Sequence, residues 1–345
     1  MNHPRAIAVS AAALVAAVLM GSCSNSPTEI GNELAVDMGN ASPASSPRSE
    51  EPHGRVYDYD PVLDLDETDG LIALRTDAAV TIGSLDQVTA GDATTYQLAQ
   101  NCGEISANAG SFVAGCGDEI RIFTADGEQR VATSRPVTVA TRTTTGELLA
   151  GSDEARTVWL YRDGELAEEI AVARETDQIQ AVPVAGRRDA VVRTNSFDTT
   201  IQDLDWAAGR QGGTLRIGLG VGKVAAGEDG LVLAADATGS QLLIYTTDNI
   251  IRLHQMAPVA QSPWDVAWDS AARLAWVAST AGNVATGYDI SRGVPLERAS
   301  IHTVADPQSI IALDDGTVLI ASASGDGLQV ISPADKTLRE LPEEA

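Results

Sequence analysis

The sequence predicts an all-β protein, and three observations support that prediction. A short strand that ends in a turn recurs along the chain at a nearly constant spacing. The apolar residues are mostly Val, Ile, Leu and Ala, and aromatic residues make up only 4% of the chain, a composition that suits short strands packed between sheets. No amphipathic helix of about 10 to 15 residues persists between the strands, which argues against an alternating βαβ fold.

The recurring strand sets the number of structural units. Successive copies begin 37 to 43 residues apart, and the seven copies are Thr81–Asp86, Arg121–Asp126, Val158–Asp163, Thr200–Asp205, Leu243–Asp248, Thr286–Ser291 and Gln329–Ala334. A repeat of about 40 residues is the length of one four-stranded propeller blade. We therefore predict a seven-bladed β-propeller that occupies residues 57–345 as one domain.

The first 22 residues are predicted to be a cleaved signal peptide. An apolar run over residues 6–20 follows one basic residue and is too short to span a bilayer comfortably. The segment ends in Gly21, Ser22 and Cys23 and resembles a bacterial lipoprotein signal, although Met20 stands where that family usually has Leu. The resemblance implies that Cys23 is acylated, with palmitate among its chains, and becomes the mature N-terminus. The alternative is an ordinary secreted protein that is cleaved nearby.

Residues 23–56 are predicted to be a flexible tether. They are rich in Ser, Pro, Asn, Gly and acidic residues and show no apolar periodicity, so they lack the apolar surface that orders a chain. A lipid on Cys23 would hold the propeller just off the cell membrane, on its extracytoplasmic side. The net charge of −25 repels nucleic acid and anionic headgroups, and we expect a monomer.

Two cysteines flank a predicted β-hairpin. Its turn lies near Asn108–Gly110, and antiparallel pairing about that turn places Cys102 opposite Cys116. An exported protein commonly forms such a bridge. We predict a disulfide, and the alternative is a pair of buried free thiols.

The last blade shows how one interval divides into four strands. These are Pro307–Leu313, Thr317–Ala323, Leu328–Ser332 and Thr337–Leu341, with an Asp-Asp-Gly turn after the first strand. How the ring closes is left open, because residues 61–67 could be the first blade's own inner strand.

The preceding blade repeats the same pattern and carries a resemblance. Ser262–Trp268 aligns with Asp306–Ala312, and Ala275–Ser279 aligns with Val318–Ser322. These fragments resemble the YVTN-type repeats of bacterial seven-bladed propellers, a superfamily with lactonase-like and quinoprotein-like members. The resemblance implies a fold and leaves the activity open.

Polar residues are predicted to ring one mouth of the central channel. Aligning the inner strands brings six residues to equivalent places: Glu104, Thr138, Gln178, Lys223, Asp265 and Ser309. One interpretation is that these groups satisfy each other and ordered water. The other is that they hold a ligand or a metal ion at the channel mouth.

No catalytic or metal-binding residue is predicted, and no cofactor. The four histidines are isolated, and neither a Cys/His cluster nor a G-x-S-x-G motif occurs. The five tryptophans could form a platform for a quinone or a sugar, but packing between blades explains them more simply. We therefore expect a binding or scaffold module with a protein partner in the cell envelope. The alternatives are a lactonase-like or quinoprotein-like enzyme with its site at the channel mouth, and a small-molecule carrier or sensor.

Overall fold

The computed structural model describes residues 38–340. The predicted signal peptide, Cys23 and the first part of the predicted tether lie outside these residues. Within them, no helix is long and apolar enough to cross a membrane.

Seven four-stranded antiparallel sheets make up the fold, and each is one blade. Strand β1 (Arg55–Tyr57) precedes the first blade in sequence. The first four blades comprise β2 (Asp64–Thr68), β3 (Leu71–Arg75), β4 (Ala79–Gly83) and β5 (Thr94–Gln97); β6 (Ile105–Asn108), β7 (Ser111–Gly115), β8 (Gly117–Thr124) and β9 (Gly127–Val137); β10 (Val139–Arg142), β11 (Leu148–Gly151), β12 (Thr157–Arg162) and β13 (Glu165–Ala171); and β14 (Gln178–Val182), β15 (Ala190–Asn195), β16 (Thr200–Asp205) and β17 (Arg210–Arg216). Helix α1 (Leu85–Ala90) connects β4 to β5.

The remaining blades follow the same order. They comprise β18 (Val221–Ala226), β19 (Leu231–Asp236), β20 (Gln241–Thr246) and β21 (Arg252–Pro258); β22 (Pro263–Asp269), β23 (Leu274–Ser279), β24 (Val284–Asp289) and β25 (Leu296–His302); and β26 (Pro307–Ala312), β27 (Val318–Ser322) and β28 (Leu328–Ile331). Short 3₁₀ turns lie at Trp206–Ala208, Thr280–Gly282 and Pro333–Asp335.

The seven-bladed propeller predicted from the repeat is confirmed. The recurring strand of the sequence is the third strand of every blade, from β4 through β28. Its apolar residues pack between neighbouring blades, as Val158 of the third blade does with Val191 of the fourth. Because both faces of each sheet are covered, the middle strands read as nearly continuous apolar runs.

The N-terminal strand closes the ring. β1 pairs with β28 in antiparallel register, with Arg55 opposite Val330 and Tyr57 opposite Leu328, and β2 is the inner strand of the first blade. The predicted fourth strand Thr337–Leu341 is wrong over its described part, because β1 already occupies the edge of β28. Residues 337–340 instead leave the sheet, and the Arg339 amide donates to the Arg298 carbonyl at 2.7 Å.

Residues 38–54, here called the N-terminal arm, differ from a free tether. They lie along the propeller, as β1 does after them, so the tether prediction does not describe residues 38–56. The contacts are polar: the Ala44 amide donates to Ser262 Oγ at 2.9 Å, and Ser46 Oγ donates to the Thr280 carbonyl at 2.8 Å. Hydrogen bonds hold a Ser- and Pro-rich segment that has little apolar surface to bury.

The inner strands define two faces of the disc. Each inner strand is the first strand of its sheet and all run in one direction, so their starts lie on one face and their ends on the other. We call these the start face and the end face. The N-terminal arm crosses the start face, because its partners Leu219, Ser262 and Thr303 all lie just before the inner strands β18, β22 and β26 or at their starts.

The predicted disulfide is present in the structure. The Cα atoms of Cys102 and Cys116 are 4.0 Å apart, and their sulfur atoms are bonded. The hairpin turn consists of Ala109 and Gly110, both with positive φ (47° and 69°), as a two-residue hairpin turn with right-handed strand twist requires.

Candidate functional site

The inner strands enclose a channel cavity of about 260 Å³. Four of the six predicted ring residues line it: Glu104, Gln178, Lys223 and Asp265. The other two do not. The Thr138 hydroxyl accepts a hydrogen bond from the Asp153 amide within its own blade, at 3.1 Å. Ser309 is fully buried, and its hydroxyl has no hydrogen-bond partner among the described residues.

Three carboxylates of the first blade also line the channel, and the sequence analysis missed them. They are Asp64, Asp66 and Glu67, all on β2. The signal was the alternation of apolar and acidic residues over residues 63–66, but it could be used only once β2 was assigned as an inner strand.

Several channel residues bind the backbone of the next blade. In each case a side-chain oxygen accepts from an amide of the neighbouring inner strand: Asp64 Oδ2 from Ile105 at 2.7 Å, Gln178 Oε1 from Val224 at 3.0 Å, and Asp265 Oδ2 from Ile310 at 2.8 Å. Repetition of this bond in three blades shows that part of the polar ring holds the blades together, since a buried amide without a partner is costly.

An ion pair crosses the channel from the fifth blade to the first. Lys223 Nζ lies 2.5 Å from Asp64 Oδ1 and 3.8 Å from Glu104 Oε1. The side chains of Lys223 and Asp64 are 8% and 7% exposed. Burial alone would lower the pKa of Lys223, but the negative charges of Asp64, Glu104 and Asp265 outweigh it and raise that pKa above its usual range. Lys223 is therefore a permanent cation at neutral pH.

Three other carboxyls in the channel have raised pKa values. Burial raises the pKa of Asp265 to about 7, although Lys223 and two backbone amides oppose the shift. Burial also raises the pKa of Asp66 well above its usual range, helped by the charge of Asp64. The pKa of Glu67 rises to about 7 for the same reason, with Asp314 and Asp69 adding to it.

The described part of the chain has no cluster of side chains that could bind a metal ion. Between residues 38 and 340, no group of three or more His, Cys, Asp or Glu side chains is arranged to hold a metal ion.

A second cavity opens on the end face beside the channel. This end-face groove has a volume of about 790 Å³, and its lining includes Val184, Arg187, Leu231, Trp268, Arg273 and Ile290. Trp268 lines both the groove and the channel. The groove therefore adjoins the channel mouth and combines an apolar floor with charged rims.

Trp268 is a groove residue with a buried hydrogen-bond donor that has no acceptor among the described residues. This donor is its indole Nε1. The Arg273 guanidinium lies 5.6 Å from the ring centroid, and Arg273 Nη1 also pairs with Glu228 Oε1 at 2.9 Å. By contrast, Trp159, Trp206 and Trp276 are buried in the core, as packing between blades predicts.

The loop that follows β14 forms one wall of the groove and is firmly held. Asp189 is buried and accepts hydrogen bonds from the Thr144 amide at 2.7 Å and from Asn108 Nδ2 at 2.9 Å. Asp229 Oδ1 accepts from the Ala185 amide at 3.1 Å. The groove is therefore shaped in advance of any partner, which lowers the entropic cost of binding.

Comparison with known proteins identifies the fold. The sequence matches no family model and no curated protein. Among solved structures, virginiamycin B lyase from Staphylococcus aureus, solved with quinupristin, has a TM-score of 0.61 at 14% identity and covers 81% of this chain and 97% of its own. This chain has the seven-bladed β-propeller fold.

Two WD40 propellers are similar to the same extent. The WD40 repeats of RRP9 have a TM-score of 0.64 at 13% identity and cover 85% of this chain and 100% of their own. The WD40 propeller domain of Doa1 has a TM-score of 0.57 at 13% identity and covers 83% of this chain and 97% of its own. Such identities establish the fold alone. The fold is typical of protein-interaction and scaffold modules.

Proposed function

We propose that this protein is a lipid-anchored, extracytoplasmic binding module that holds a protein partner of the cell envelope in its end-face groove. The observation that carries the proposal is Trp268, a large, half-buried aromatic side chain that lines a preformed groove. Trp is the residue type most enriched at the energetic centres of protein interfaces. Because the indole N–H is buried, a partner would reach the accessible part of the half-buried ring, whose apolar surface supplies the contact.

The lining of the groove defines the kind of segment that fits. Val184, Leu231 and Ile290 offer an apolar floor, while Arg187 and Arg273 stand beside Asp229 and Glu228 at the rim. A loop or extended segment with one apolar side chain and polar flanks of both charges would match this pattern.

Two observations support the location. The leader ends in the Gly21-Ser22-Cys23 sequence typical of lipoprotein processing, and Cys102 is bonded to Cys116. Disulfides form and persist mainly in oxidising compartments outside the cytoplasm. The mass of the mature N-terminal peptide tests the anchor, because an unacylated terminus would contradict it.

Site-specific crosslinking in intact cells tests the binding face. A photo-crosslinking residue at Ala185, beside the groove, should give a discrete adduct, whereas one at Met256, on the outer strand β21 and 51% exposed, should not. Trp268→Ala should abolish the adduct. Trp268→Phe, which keeps an aromatic ring of smaller area, should weaken it. Equal adduct yields from both positions, or a yield that Trp268→Ala leaves unchanged, would overturn the proposed binding face.

The channel supports a second candidate, a site for a small molecule. Asp265 and Glu67 have pKa values raised to about 7, and carboxyls poised near neutrality in a polar cavity are candidates for proton transfer or ligand binding. Elemental analysis and an absorbance spectrum of the purified protein test this candidate, since a resident ion or chromophore would favour it.

A further inference from the structure

An exposed apolar patch lies on the start face at Met38, the first described residue of the N-terminal arm. Phe197, Met38 and Leu219 are 66%, 50% and 37% exposed. Contacts through the arm and Arg216 join them: the Gly39 amide donates to the Leu219 carbonyl at 3.0 Å, and Arg216 Nη1 lies 2.9 Å from Met38 Sδ. We call these three residues the start-face patch.

Phe197 is held outward by a well-formed turn between β15 and β16. Asn195 Oδ1 accepts from the Asp198 amide at 2.9 Å, and Arg174 Nε pairs with Asp198 Oδ2 at 2.5 Å. Arg216 also donates to the Asp198 carbonyl at 2.7 Å. The turn therefore fixes an exposed aromatic ring in place, and exposed apolar surface of this kind marks a site of contact.

The length of chain between Cys23 and the start-face patch limits how far a lipid on Cys23 can lie from the patch. Only 14 residues, 24–37, separate Cys23 from Met38, and even a fully extended chain of that length spans at most about 50 Å. A flexible chain of this length spans only about 20 Å on average, which is less than the roughly 50 Å diameter of a body of this size. A lipid on Cys23 would consequently keep the bilayer closer to Met38, and so to the start-face patch, than to the end face.

We propose that the start-face patch contacts the bilayer, with Phe197, Met38 and Leu219 in its interfacial region. This inference rests on the lipid anchor of the proposed function. The net charge of −25 excludes a general electrostatic attraction to anionic headgroups, so the contact is apolar, as aromatic side chains at interfaces are. The orientation turns the end-face groove away from the membrane and towards its partner.

Depth-dependent fluorescence quenching on the acylated full-length protein tests the inference. Cys23 is acylated in that protein and Cys102 is bonded to Cys116, so a single introduced cysteine can be labelled with an environment-sensitive probe. Leu219→Cys reports on the patch and leaves Phe197 in place. Val294→Cys is the matched control, because Val294 is 56% exposed and lies in the β24–β25 loop of the end face.

The labelled proteins are reconstituted into phosphatidylcholine vesicles with or without brominated acyl chains. We expect a blue-shifted spectrum and bromine quenching at position 219, and neither at position 294. With the probe at position 219, an added Phe197→Ser should lower the contact equilibrium by about tenfold, the factor that burial of a large apolar side chain supplies. No quenching at 219, or equal quenching at both positions, would overturn the inference.

The mass of the N-terminal peptide separates this result from the anchor itself. An acylated protein that shows no quenching at position 219 overturns the membrane contact and leaves the anchor standing. An unacylated mature chain overturns the anchor, and with it the reason for placing a bilayer at the patch. Quenching confined to position 294 would mean the opposite orientation.

Discussion

Lys223 Nζ lies 2.5 Å from Asp64 Oδ1, and this pair joins the fifth blade to the first across the channel. Among the residues that line the channel in the described part of the chain, Lys223 is the single cation, whereas five are acidic. Removing one partner of a buried ion pair leaves an uncompensated charge, which costs far more than the pair itself contributes. Replacing one partner of this pair should therefore destabilise the channel more than replacing any other residue that lines it.

Lys223→Met should destabilise the fold by about 3–5 kcal/mol, the range for breaking a buried pair by removing one partner. Asp64 would then be left buried without its counter-ion. Urea unfolding at pH 7 measures the loss. The double variant Asp64→Asn with Lys223→Met is the control and should recover much of it. A single variant as stable as the wild type would contradict the buried pair.

The fold could be predicted because its signal is local and repeated. Third strands such as Val158–Asp163 are central in their sheets and apolar on both faces, so the repeat is visible in sequence. Alignment of the blades then placed Lys223 and Asp265 in the channel correctly. Thr138 was misplaced by one residue, and such a shift changes the face on which a side chain lies. Ser309 pairs in the same register as Asp265, but its short side chain is buried and does not reach the cavity.

Other features depend on tertiary contacts that no local pattern carries. Lys223 and Asp64 are 159 positions apart, and their pairing required an assigned inner strand in the first blade. Thr337–Leu341 was predicted as a strand because the last interval was divided into four consecutive strands, but β1 pairs with the edge of β28. The end-face groove escaped prediction because loops of several blades build it together.

Stability should fall as pH rises from about 4 to about 7. Asp265 and Glu67 have folded-state pKa values raised to about 7, so in this window the folded protein holds protons that the unfolded chain has released. Each such proton gives a slope of about 1.4 kcal/mol per pH unit. Asp265→Asn should make the slope shallower in urea unfolding across a pH series. The exposed Asp118→Asn controls for loss of a surface carboxyl, and equal slopes in wild type and Asp265→Asn would contradict the prediction.

The disulfide should make the stability of the propeller sensitive to reductant. Cys102 and Cys116 are 14 positions apart, and a loop of this length corresponds to about 3 kcal/mol of stabilisation. Replacing both cysteines with Ala should lower the unfolding midpoint and abolish any further effect of reductant. Calorimetry with and without reductant measures both. If mass analysis confirms that the disulfide is reduced but the unfolding midpoint of the wild type does not change, the bridge does not stabilise the fold.

Gly54 should be required for closure of the ring. It has a φ of +71° just before β1, and a Cβ atom there would lie 2.3 Å from the Val330 carbonyl oxygen of β28. Gly70 is the matched control, since it has a φ of +76° and open space around its Cβ position. Both Ala variants bear the cost of a left-handed conformation, but Gly54→Ala also has to push β1 away from β28, an overpacking cost of about 1–3 kcal/mol. We expect Gly54→Ala to be the less stable variant in urea unfolding and to lose its N-terminal arm faster in limited proteolysis. Equal behaviour of the two variants would mean that pairing of β1 with β28 contributes little to closure.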